Sequence, residues 1–167
     1  WVNVNGQLYT GVLRTFSTTG QGSVLRWSGT LSSPFSFQEV ARLDAEAANI
    51  AVHNNRLFVG TWPQNYGSLM GYLGYRSNAT ASIWMSPTLT STGRLNTGSW
   101  QKVWNISDYE VDPIVAKSIG MGAMASFDGY LYFGTMQVPG TGDVVLREAY
   151  PTYKGSTGNT YRALALF

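Results

Sequence analysis

An all-β fold built from repeated four-stranded antiparallel units is what this sequence predicts, and three observations predict it. A strand, tight turn and strand recur, fullest in Ile50 to Trp62 and again in Met124 to Met136, with a shorter copy in Val4 to Gly11. Each copy is followed by short stretches rich in β-branched and aromatic residues and bounded by turn formers. Charged residues make up only 12% of 167 residues while glycine numbers 19, a balance that favours strands and turns over solvent-exposed helices.

The anchors Leu8, Leu57 and Leu131 lie 49 and 74 residues apart. The second interval is longer because 63–81 and 88–98 are Ser/Thr/Gly/Asn-rich connections, and lengthening a loop costs little. After each anchor a third strand follows, at 22–27, 81–86 and 143–148. A fourth follows in the first two copies, at 35–41 and 99–104, alternating apolar with polar as a strand with one wetter face does. Asn5-Gly6 and Asp128-Gly129 supply the positive φ of two-residue hairpin turns, and Asn54-Asn55 holds the same place. The segments 39–49 and 107–118 read as crossovers from one outer strand to the next unit. Pro113 speaks against a helix interior in the second of them.

Four-stranded antiparallel repeats in series predict a β-propeller, with blades packed face to face around a channel. The copies supply three, four and three strands, about two and a half blades, in a single segment 1–167. The blade parts are about 1–44, 45–106 and 107–148, with 149–167 starting a further blade or closing the ring. Closed propellers have at least about four blades, so the ring is expected to be completed by the rest of a longer chain or by other subunits. Small residues at Ala51, Gly122, Ala123 and Ala125 suit first strands lining a tight channel.

The strands Leu57-Phe58-Val59-Gly60-Thr61, Ser82-Ile83-Trp84-Met85-Ser86 and Gly98-Ser99-Trp100-Gln101-Lys102-Val103 carry a resemblance. The pattern resembles uncharacterised bacterial and archaeal β-propeller repeat proteins, distantly similar to sialidase and kelch propellers, over most of residues 4–148. Asn96-Thr97-Gly98-Ser99-Trp100 also resembles a degenerate Asp-box, a structural turn between outer strands in sialidase-like propellers. The resemblance implies a fold and not an activity.

Composition bounds the partners. A net charge of +2 with no run of Lys or Arg gives no nucleic-acid footprint. Without cysteine there is no disulfide framework and no thiolate metal site. No apolar run reaches the roughly 20 residues of a membrane helix. The sequons Asn78-Ala79-Thr80 and Asn105-Ile106-Ser107 point towards an extracellular or cell-surface setting, with Asn78 and Asn105 as glycosylation acceptors.

Chemistry-bearing residues are sparse. The lone His53 has neither a metal cluster nor a triad around it in the sequence and reads as structural. The acids Asp44, Glu46, Asp108, Glu110 and Asp112 sit in the two crossovers and are candidates for one mouth of the channel. A glycosidase would need two of them at a set separation. The eight arginines match no sialidase arginine triad. Trp62, Tyr66, Tyr72 and Tyr75, in or beside the long loop 63–81, are candidates for stacking on a sugar ring, whereas Trp27, Trp84, Trp100 and Trp104 recur at strand positions as core. No phosphate loop, nucleophile elbow or cofactor motif appears, so no cofactor is expected. The expectation is therefore a non-catalytic extracellular binding or assembly module, with part of a carbohydrate-active propeller, hydrolase or lectin-like, as the alternative and a glycan as its ligand.

Overall fold

A computed structural model describes residues 1–14, 22–63 and 79–137, and these are all-β apart from one 3-10 turn and one short helix. Strands β1 (Val2–Val4), β2 (Gln7–Leu13), β3 (Gly22–Trp27) and β4 (Phe37–Leu43) form a first antiparallel sheet in chain order. A second sheet repeats the meander with β5 (Glu46–His53), β6 (Arg56–Trp62), β7 (Ser82–Thr88) and β8 (Gln101–Asn105). The third unit is a hairpin of β9 (Ile119–Phe127) and β10 (Tyr130–Gln137). The third strand expected at 143–148 and the continuation at 149–167 lie outside the described residues.

Two expectations need correction. The first copy has all four strands, because Val2–Val4 pairs with Tyr9 to Gln7; three residues are too few for alternation to show in the sequence. The second crossover contains a helix, α1 (Pro113–Ser118). Pro113 is its first residue, where a missing N–H is harmless, and Asp112 just before it accepts from the Val115 amide at 3.4 Å. The proline therefore starts a helix rather than excluding one.

The turns follow their chemistry. Asn5, Asn54, Asn55 and Asp128 all have φ between 44° and 57°, with Gly6 and Gly129 at 82° and 78°. The crossover from β4 to β5 is the two residues Asp44-Ala45, as the sequence suggested for that segment.

The sheets stack in succession. One core cluster joins Tyr9, Val24 and Leu43 of the first sheet to Ala47, Leu57 and Val59 of the second, with Leu89 from the connection after β7. Another joins Ala81, Ile83 and Ile106 of the second unit to Ala116 and Met121, with Phe58, Trp62 and Trp104 packed against it. The period of two along β6 thus sends Leu57 and Val59 to the first sheet and Phe58 and Trp62 towards the hairpin. Thr61, buried in the same strand, exchanges hydrogen bonds with Ser82, so the middle sheet is covered on both faces without an orphaned hydroxyl there.

The fifth residue of each repeat's second strand is glycine, and its lack of a side chain sets the approach of the next sheet. A Cβ on Gly11 would fall 2.2 Å from the Ala47 carbonyl oxygen, and one on Gly60 would fall 3.0 Å from Met121 Cβ. Among the described residues nothing lies within 4 Å of a Cβ on the equivalent Gly134. Two hydrogen bonds pin the second contact: Asn49 Nδ2 donates to the Met121 carbonyl at 3.2 Å, and the Trp62 indole N–H donates to the same oxygen.

Gly11→Ala is expected to lower stability by about 1–3 kcal/mol through overpacking, read as a lower urea midpoint, whereas Gly134→Ala is expected to leave the midpoint nearly unchanged. Equal effects at the two positions would contradict the close approach of β5 to β2.

Candidate functional site

The connection from β7 to β8 is long and folds back over the first sheet. Leu89 and Leu95 bridge its stem, and Gly93 N donates to the Thr90 carbonyl to close its tip. Gly93 has φ +76°, and a Cβ there would fall 2.0 Å from the Val4 carbonyl oxygen, so only glycine lets the tip lie on β1. Two bonds then fasten it: Asn5 Nδ2 donates to the Ser91 carbonyl at 3.0 Å, and Tyr9 Oη donates to the Gly93 carbonyl at 2.8 Å.

This fold-back leaves a cavity of about 440 Å³ at the seam of the first two sheets, within the roughly 300–1,000 Å³ of small-molecule sites. Tyr9, Arg26 and Gln38 line one wall, and Arg94, Asn96 and Trp100 line the other. Arg26 is there because it lies two residues after Val24 on β3 and pairs in register with Tyr9 and Gln38. Its Nη1 donates to Gln7 and its Nη2 to Gln38, both neutral acceptors, and its buried Nε has no partner. No carboxylate among the described residues pairs with Arg26 or with Arg94.

The wall's one acid is already engaged. Glu39 accepts from Ser23 Oγ at 2.8 Å and pairs with Arg42 at 2.5 Å and Arg14 at 3.4 Å. Its bonds to Arg42 and Ser23 hold the carboxyl below its usual value. Tyr9 is fully buried, and burial raises its hydroxyl above the ordinary 10.0, while the Arg26 and Arg94 charges pull it down. Two guanidiniums therefore act on one buried hydroxyl. With Glu39 taken up by Arg14, Arg42 and Ser23, what the described residues present to the cavity is positive charge beside an aromatic ring.

The residues singled out in the sequence lie elsewhere. Trp62 is half-buried in the contact between the second sheet and β9. Tyr66, Tyr72, Tyr75 and Asn78 lie outside the described residues. Asp44 pairs with Lys102 at 2.5 Å, with Lys102 also over the Trp84 ring. Glu110 accepts from the Asp112 amide at 3.0 Å, and Asp112 caps α1. Asp108 ends the 3-10 turn Ile106–Asp108, whose N-cap is Asn105, with Asn105 Oδ1 accepting from Ser107 N and Thr80 Oγ1 at 2.8 Å each. Glu46 opens β5. Among the described residues no three His, Asp or Glu side chains gather as a metal site. His53 hydrogen-bonds Ser126 Oγ at 2.9 Å and packs on Phe58, tying β5 to β9.

Arg26 and Arg94 were missed as a pair. The signal for Arg26 is a charged residue at an inward position of β3, two places from the fully buried Val24; Arg94 is brought in only by the fold-back. The Asn96–Trp100 segment lies between the third and fourth strands of its sheet. Among the described residues no helix is long and apolar enough to cross a membrane. Comparison with known proteins returns no match to a family model, a curated protein or a solved structure.

The lowered Glu39 carboxyl stabilises the fold above its unfolded value, near the usual 4.5, and that contribution disappears as pH falls through the lower folded value. Glu39→Gln is expected to cost up to about 1 kcal/mol at neutral pH and nothing at about pH 2, compared by urea unfolding. A cost that persists in acid would contradict the role of the charge.

Proposed function

We propose that this chain is a segment of a β-propeller-type array of four-stranded blades and works outside the cell as a non-catalytic binding or assembly module. The observation that carries the reading is the outward face of β9–β10. In each repeat the aromatic after the anchor leucine points to the following sheet: Tyr9 is fully buried there and Phe58 packs into the second core cluster. Their counterpart Tyr132 is 55% exposed and its ring meets those of Phe127, 72% exposed, and Tyr130, 66% exposed. With Gly134 open beneath, this face has the composition and relief of one that takes a further sheet, from the rest of a longer chain or from another subunit. The two sequons favour the extracellular setting.

A second reading, a lectin-like carbohydrate-binding propeller, is favoured by the seam cavity with its Trp100 wall. Its hydrolase form draws no support from Asp44, Glu110 and Asp112, which are held by Lys102 and by the turn into α1.

An open blade face associates when its cover is missing. Sedimentation velocity of the 167-residue chain is expected to show concentration-dependent self-association in the micromolar range, and Tyr132→Glu is expected to abolish it without lowering the thermal midpoint. A wild-type chain that stays monomeric and leaves this face unshielded from hydrogen exchange would overturn the assembly reading.

A further inference from the structure

We propose that the seam cavity between the first two sheets binds a carboxylate-bearing ring compound, a sugar acid of the uronate type. The inference extends the lectin-like reading and stands whether or not a further sheet covers β10.

The charge calls for an anion. Arg26 and Arg94 face one cavity from opposite walls without a carboxylate partner among the described residues, and the neighbouring Glu39 is taken up by Arg14, Arg42 and Ser23. Gln7 and Gln38 hold the Arg26 guanidinium in place but, being neutral, leave its charge uncancelled. A planar guanidinium set in this way matches a carboxylate.

The rest of the cavity calls for more than a lone anion. The half-buried Trp100 offers an aromatic surface against which the C–H face of a ring packs, with Pro87 beside it. Gln38 uses its carbonyl on Arg26 and keeps its amide NH₂ as a donor. Asn96 donates its NH₂ to Thr88 Oγ1 and keeps its carbonyl as an acceptor. A ring carrying hydroxyls and one carboxylate uses all of these groups. The walls are fixed before binding by the Tyr9–Gly93 and Asn5–Ser91 bonds, so little ordering opposes it.

The test is calorimetric titration of the full chain with galacturonate, galactose and acetate. Galacturonate is expected to bind at least tenfold more tightly than either of the others, with an affinity that falls as salt is added. Arg94→Gln, an exposed loop position whose side chain makes no ion pair among the described residues, is expected to lose at least tenfold in galacturonate affinity while folding normally; Arg26→Gln and Trp100→Phe test the other wall. Equal binding of galactose and galacturonate would overturn the charge assignment and leave the lectin-like reading in place. Acetate binding as tightly as galacturonate would overturn the ring assignment, and no binding by either sugar would overturn both the inference and that reading. Undiminished affinity in a folded Arg94→Gln variant would place the anion elsewhere and overturn the inference.

Discussion

The stack depends on one constraint: the first strand of each sheet crosses the preceding sheet where the second strand has no side chain to hold it off. At Gly11 the neighbouring carbonyl oxygen occupies the space a Cβ would take, and at Gly60 the Met121 side chain nearly does. Packing this close lets small residues such as Ala47 be fully shielded, and it forces the rings on either side of the glycine into the remaining gaps. The alternation of β6 follows, with Leu57 and Val59 serving one interface and Phe58 and Trp62 the other. Two polar side chains caught in this arrangement, Asn49 and Trp62, find a partner across it at the single carbonyl of Met121.

How much of this was legible in the sequence follows from how local each cause is. Hairpin turns are decided by two residues, so Asn5-Gly6, Asn54-Asn55 and Asp128-Gly129 announced themselves, and so did the strands whose period of two runs for six residues or more. The first strand did not, because Val2–Val4 is a strand only by virtue of its partner. Pro113 misleads because proline forbids a helix interior but suits a helix start, and the deciding residue is Asp112, which in the sequence is one of a group of crossover acids.

The site residues were less legible because they are defined by contacts far apart in the chain. Crossover acids looked like a channel mouth since their number was visible and their partners were not: Asp44 is 58 residues from Lys102. Trp62 looked like a loop aromatic because it precedes a long connection, yet its indole nitrogen serves a carbonyl 59 residues later. The seam cavity needs three facts together, the register of Arg26 with Tyr9, the fold-back of the β7–β8 connection, and the engagement of Glu39 by its neighbours. None of these is written in a motif.

The two open features of the molecule differ in kind, and the packing explains why. The outer face of β9–β10 is aromatic, with Phe127, Tyr130 and Tyr132 exposed on the side where the second strands of the other two units carry Tyr9 and Phe58 in packed contacts. The seam, by contrast, is where the interface of the first two sheets is propped apart. Arg26 stands at an inward position yet cannot enter a dry core without a partner, and its unbonded Nε shows that even the rim costs it hydration. Holding a guanidinium there with two neutral amides, beside a second arginine and against an aromatic wall, is a poor way to fill a core. It is a sound way to keep a positive charge fixed at the mouth of a cavity, where an arriving anion meets groups that need not move to receive it.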